Sequence, residues 1–84
     1  MNRKKTIVKV KVGEFYSEWT LEHWIQRIEI NGEVIFEEYE PYWRAKYKLT
    51  NSSDPEEIRK DVERILRRYF GIRPEDVELH ISFY

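Results

Sequence analysis

At Asn31-Gly32 the chain is built to reverse. Both residues tolerate φ > 0, and they sit between Ile28-Glu29-Ile30 and Glu33-Val34-Ile35-Phe36. Asn-Gly between two such β-branched runs is the strongest short-range hairpin signal in a sequence. The elements on either side have to be arranged around an antiparallel pair.

Upstream, Ile7, Val8, Val10 and Val12 alternate with Lys9 and Lys11, which predicts a half-buried strand. Gly13-Glu14 follows, and Gly at the first central position suits a type II′ turn. A two-residue loop there sets Val12 against Phe15, Val8 against Trp19 and Thr6 against Leu21. It also places Lys9 opposite Glu18 and Lys5 opposite Glu22. Leu21, Trp24, Ile25 and Ile28 fall at helical spacing as well. The Lys/Glu register and the aromatic and β-branched content favour a strand, from Phe15 to Ile30.

Downstream, Glu40-Pro41-Tyr42-Trp43 reads as a turn, with Pro41 preset for its first central position. A fourth strand is expected from Trp43 to Thr50. It pairs Val34 with Leu49, Phe36 with Tyr47 and Glu37 with Lys46, or Glu37 with Arg44 and Glu33 with Lys48 in a shorter loop. Both registers put Val34, Phe36, Trp43, Ala45, Tyr47 and Leu49 on one face.

A helix is then well marked. Asp54 is placed to cap it, Pro55 to occupy its first position and Glu57 to complete a capping box. Ile58, Val62, Ile65, Leu66 and Tyr69 form the apolar stripe. Arg67 and Arg68 suit the negative end of the dipole, and Gly71 suits a left-handed stop. After the connector Arg73-Pro74-Glu75-Asp76, Val77, Leu79, Ile81 and Phe83 alternate with Glu78, His80, Ser82 and Tyr84 as a last strand.

The expected architecture is one α+β domain over residues 1–84. A curved antiparallel sheet, ββββαβ in order 4-3-2-1-5, packs on one amphipathic helix. Placing the last strand beside the fourth, by a parallel crossover, is the other arrangement.

One stretch resists this scheme. On an uninterrupted second strand the core face reads Phe15, Ser17, Trp19, Leu21, His23, Ile25, Arg27 and Glu29, and turns polar at its end. The opposite face turns apolar with Trp24, Ile28 and Ile30. A bulge between about Leu21 and Ile28 would repair the pattern, because one extra residue flips the remainder. A three-residue Asn-Gly loop with a glycine bulge would set Ile28 opposite Val34 on the core face. Without a bulge, Ile28 meets Ile35 and Trp24 meets Tyr39 on the outer face. Trp24, Ile28, Ile35, Tyr39 and Tyr42 then form an apolar patch of the kind that marks an interface.

Composition narrows the function classes. With no cysteine, disulfide scaffolds, thiolate metal sites and thiol catalysis are excluded. No apolar run reaches the roughly 18 residues of a membrane span, and the basic start Met1–Lys5 lacks a signal-peptide core. The expectation is a soluble cytoplasmic protein. The 15 basic and 16 acidic residues give a net charge of −1, which does not suggest nucleic-acid binding. Tyr42, Arg44, Lys46 and Lys48 interleave an aromatic with cations, as single-strand RNA platforms do, but acidic neighbours cancel the charge.

His23 and His80 lie on different strands without metal-ligand spacing. Glu37, Glu38 and Glu40 lack the density of a calcium loop. The serines have no base or oxyanion motif beside them, and the glycines belong to no phosphate loop. His23, Glu38 and Arg27 are the only titratable trio for an enzyme, and would have to converge in a pocket. The expectation is no enzyme, no cofactor and no metal.

Two segments carry a resemblance. Ser53-Asp54-Pro55-Glu56-Glu57-Ile58-Arg59-Lys60 and Gly71-Ile72-Arg73-Pro74-Glu75-Asp76-Val77-Glu78 resemble the helix openings and exits of computationally designed (de novo) α+β proteins. The resemblance implies a thermostable structural scaffold, a bent sheet over a helix, with no evolved activity and no required partner, made by recombinant expression. The three Trp residues and Asn51-Ser52-Ser53 depart from that style. The Glu, Lys and Arg content suits a natural thermophile domain equally. In that case the chain is a small binding or self-association module, pairing with a copy or a protein partner through the outer sheet face.

Overall fold

Alternating apolar strand residues and one helix stripe supply the core. In the computed structural model, which describes residues 5–83, the strands are β1 (Thr6–Tyr16), β2 (Leu21–Ile30), β3 (Glu33–Glu37) and β4 (Val77–Phe83). The helix α1 spans Pro55–Phe70, and short 3₁₀ turns lie at Tyr42–Arg44 and Pro74–Asp76. The protein is α+β, with a mixed open sheet in the order β3-β2-β1-β4. Val8, Val10 and Val12 of β1, Ile25 and Ile28 of β2, Val77 and Leu79 of β4 and Leu49 share one core with Ile58, Val62, Ile65 and Leu66 of α1.

The Asn-Gly hairpin forms as expected. Asn31 at φ 49° and Gly32 at φ 87° carry the reversal, and Ile30 faces Glu33. Asn31 also ties this end of the sheet to β1. Its N–H donates to the Ile7 carbonyl at 2.8 Å, and its Oδ1 accepts from the Ile7 N–H at 2.9 Å.

The Gly13-Glu14 turn does not form. β1 runs straight through it, and the chain reverses at 17–20, where the Ser17 N–H donates to the Thr20 carbonyl at 2.8 Å. β1 therefore pairs Val8 with Ile30, Val10 with Ile28, Val12 with Ile25 and Glu14 with His23, in place of the pairs with Phe15, Trp19 and Leu21. The later turn is the one that buries Ile25 and Ile28 over the helix. Lys9 still faces an acid, but it is Glu29.

A register shift in β2 reconciles the two sides of that strand. Lys11 faces Arg27 and Val12 faces Ile25, so Gln26 is the extra residue. It lies inside the stretch where a bulge was expected, and it brings Ile25 and Ile28 to one face. A second shift makes Ile35 the extra residue of β3. Val34 then faces Glu29 and is 40% exposed, instead of joining the core.

The fourth strand is also corrected. After β3, the Glu38 N–H donates to the Gln26 carbonyl at 2.8 Å. The chain then leaves the sheet, and it regains β2 only where the Ile25 N–H donates to the Tyr47 carbonyl and the Leu49 N–H to the His23 carbonyl. Lys48 bridges Trp24 antiparallel. Residues 47–49 therefore continue along the same edge in the same direction as β3. Residues 39–46 form a strap thrown out of that edge. Pro41 accepts from the Arg44 N–H at 2.9 Å, so it opens the tight turn and is not its first central residue. Among the paired contacts expected here, only Phe36 and Tyr47 meet, as rings 5.0 Å apart.

The last strand lies beside the first, as expected, but runs parallel to it, Val8 facing Leu79 and Val10 facing Ile81. A four-stranded 3-2-1-4 sheet thus replaces the five-stranded antiparallel order.

The helix ends follow the sequence closely. Asp54 Oδ1 accepts from the Glu56 N–H at 3.0 Å, Pro55 follows, and Gly71 takes φ 65°. The Ile72 N–H closes the C-terminus on the Leu66 carbonyl at 3.0 Å. The reciprocal bond of a capping box is absent among the described contacts; the Asp54 N–H donates to Ser52 Oγ instead. Tyr69 stays 55% exposed at the edge of the stripe. Asp54→Ala should lower unfolding free energy by about 1 kcal/mol, as loss of a helix cap does. Urea denaturation followed by circular dichroism measures it.

Candidate functional site

The most unusual surface lies at the end of the sheet nearest residues 17–20. Phe15 and Trp24 point to the face away from the helix, and the strap crosses over them. Tyr42 stacks on Phe15 with centroids 4.9 Å apart, lies 6.2 Å from the Trp24 ring and meets Trp43 edge-on at 5.2 Å. The Trp24 indole fits there because Gly13 has no side chain. A Cβ at Gly13 would stand 2.6 Å from Trp24 Cε2.

The outer part of this cluster is open. Trp19 is 87% exposed, Trp43 64%, Tyr39 53% and Phe15 39%. Tyr39 donates its hydroxyl to Glu37 at 3.0 Å, and the Lys11 ammonium lies 5.4 Å above its ring. Beneath the strap, Trp24 Nε1 and Gln26 Oε1 are buried without a hydrogen bond among the described residues.

The five residues expected to form an apolar patch are therefore divided. Trp24 and Tyr42 share the outer face, Trp24 as the buried floor and Tyr42 as its half-buried cover. Tyr39 and Ile35 are exposed on the strap and β3, whereas Ile28 is fully buried against α1 and takes no part in the surface. Phe15, Trp19 and Trp43 were not foreseen there. Strand alternation assigns all three to the core face; the later reversal at 17–20 and the strap at 39–46 are what release them from it.

Elsewhere on the outer face, exposed Ile7 and Val34 lie among charged groups that pair with one another. Arg27 bridges Glu29 at 3.0 Å and Glu37 at 3.6 Å. His80 is 55% exposed on its side chain and pairs with Glu78. Arg44, Lys46 and Lys48 are exposed, carried on the strap and the bridge in place of an alternating strand. Near the Asn31-Gly32 turn a shallow cavity of about 450 Å³ is lined by Lys5, Thr6, Ile7, Lys9, Glu29, Asn31 and Gly32. It gathers two ammonium groups and one carboxylate, and that carboxylate, Glu29, is already bridged to Arg27.

The enzyme trio does not converge. His23 faces the helix side, Arg27 is tied to carboxylates on the outer side, and Glu38 is half-buried at the foot of the strap. In the connector before β4, the exposed Glu75 carboxyl is held below the ordinary carboxylate value, first by a backbone N–H bond and then by Arg73. That is a local turn effect, remote from the aromatic cluster. Among the described residues, no group of three or more His, Cys, Asp or Glu could hold a metal ion, and no helix is long and apolar enough to cross a membrane. Compared with protein-family models, curated proteins and solved structures, the chain matches none.

Proposed function

We propose that the chain is a non-catalytic self-association module whose aromatic sheet end meets the same surface of a second copy. The observation that carries this reading is the exposure of Trp43 beside the Phe15–Tyr42 stack, with Trp19 open in the 17–20 reversal at the same end of the sheet. Leaving two indoles in water contributes nothing to folding, whereas Trp and Tyr dominate the energetic centres of protein interfaces. The open parts of Phe15, Trp19, Tyr39 and Trp43 amount to roughly 500 Å² of aromatic surface. Each partner in a standard interface contributes about 800 Å². A net charge of −1 sets up little repulsion between copies. A two-fold interface also needs only one self-complementary patch.

Sedimentation velocity over a concentration series tests this. The wild type should sediment as a dimer, and Trp43→Glu as a monomer, with dimerisation weakened about 30-fold or more, as loss of an interface anchor implies. Tyr39→Glu should weaken it less, because that ring is already held by Glu37 and Lys11. A wild type that stays monomeric at every concentration overturns the proposal.

The helix ends support a second reading, a computationally designed and thermostable scaffold whose bent sheet over a helix is its whole purpose. Asp54, Pro55, Arg67, Arg68 and Gly71 each stand where design rules put them. A hyperstable monomer without affinity for itself is the result that reading expects.

A further inference from the structure

His23 is placed on β2 facing the helix side, and its side chain is 1% exposed. Both ring nitrogens meet oxygen. Nε2 lies 2.9 Å from Glu14 Oε2 on β1, and Nδ1 lies 3.2 Å from the Thr50 carbonyl oxygen, where the chain returns from the strap. A carboxylate and a backbone carbonyl are acceptors only. A neutral imidazole has one N–H, so either tautomer would turn the other nitrogen's lone pair onto an oxygen lone pair in a buried site. The doubly protonated ring donates to both.

We propose that His23 is a buried, doubly protonated ring that clamps β1 to the return limb of the strap, donating from one nitrogen to Glu14 and from the other to the Thr50 carbonyl.

The charges around it fit this role. From β1, Glu14 supplies the counter-charge. From α1, Asp61 Oδ2 accepts the Thr50 N–H at 2.6 Å and is itself paired with Arg64 at 3.0 Å, so Thr50 is gripped from both sides. From β4 the neighbour is the Phe83 ring, edge-on at 6.1 Å. Within β2, Glu22 accepts from the Thr20 hydroxyl at 2.9 Å and lies on the other face. A buried cation is tolerated when a carboxylate and further acceptors satisfy its protons, and removing the partner leaves it uncompensated. The limb that His23 holds is 47–50, the anchor of the strap that carries Tyr42 and Trp43.

Long-range proton–nitrogen NMR of the labelled chain tests the assignment, with the exposed His80 as a reference inside the same molecule. At about pH 6.5, where an ordinary histidine is half protonated, His23 should show two protonated ring nitrogens. Glu14→Gln removes the counter-charge but keeps an acceptor, so His23 in that variant should show one bare ring nitrogen. A bare ring nitrogen on His23 in the wild type at about pH 6.5 overturns the proposal. So does a His23 that keeps both ring protons in Glu14→Gln. Should that variant not fold, the wild-type spectrum decides alone.

Discussion

Ile28→Asp should leave the chain unfolded at room temperature, and Ile28→Ala should cost about 2–5 kcal/mol. Ile28 is fully buried, faces Val10 across β1 and Phe36 across β3, and lies in the core shared with α1. A domain of this size holds on the order of 5–10 kcal/mol in total. An unpaired carboxylate at such a site costs several kcal/mol by itself, which removes most of that margin. The variant also reads the strand register. Without Gln26 as the extra residue, Ile28 would stand on the outer face, where aspartate costs little. Ile35→Asp is the control, since Ile35 is the extra residue of β3 and 40% exposed. It should change stability by no more than about 1 kcal/mol. Thermal and urea unfolding followed by circular dichroism measures both, and equal losses at the two positions would refute the register.

What could be read from the sequence was whatever is decided locally. The Asn31-Gly32 hairpin and both ends of α1 depend on residues within a few positions of one another, and all form. The Gly13-Glu14 turn failed because glycine serves two purposes. It relieves backbone conformation in a turn, and it lets a bulky group approach closely. Gly13 does the second, and its partner Trp24 is far along the chain. The Lys/Glu alternation was no arbiter, because Lys9 finds an acid in either register, Glu18 in one and Glu29 in the other.

The direction of the last strand turned on one reversal. Tyr47 to Leu49 carry strand alternation honestly, but they continue β3 along the same edge of β2, so the strap is an excursion and not a turn. Removing that reversal makes β4 parallel to β1. The site was half legible for a similar reason. A bulge and an outer apolar patch look like alternatives on paper. The shift falls at Gln26, after Trp24, so Ile28 enters the core while Trp24 keeps the outer face. Burial of Trp24 then comes from the strap, through Tyr42, which no periodicity in β2 could announce.

Gly13→Ala should destabilise the protein by about 1–3 kcal/mol, against the ordinary trend for glycine in a strand. Gly13 has no positive φ, since those among the described residues are Asn31, Gly32 and Gly71. Its backbone would accept alanine, and the gain in strand preference would be about 0.5–1 kcal/mol. The added Cβ would, however, stand 2.6 Å and 2.7 Å from two atoms of the Trp24 ring and 2.8 Å from Gln26 Nε2. Trp24 is only 7% exposed and is covered by Tyr42, so the ring has nowhere to retreat without lifting the strap. Trp24→Leu separates the two terms. It costs packing of its own, but it removes the atoms that the Cβ would strike. In that background Gly13→Ala should be neutral or stabilising, and the double-mutant cycle should show a coupling of about 1–3 kcal/mol between the two positions. A coupling near zero would mean that the indole does not lie over Gly13. The strap would then have lost the floor on which Tyr42 rests and from which Trp43 is presented.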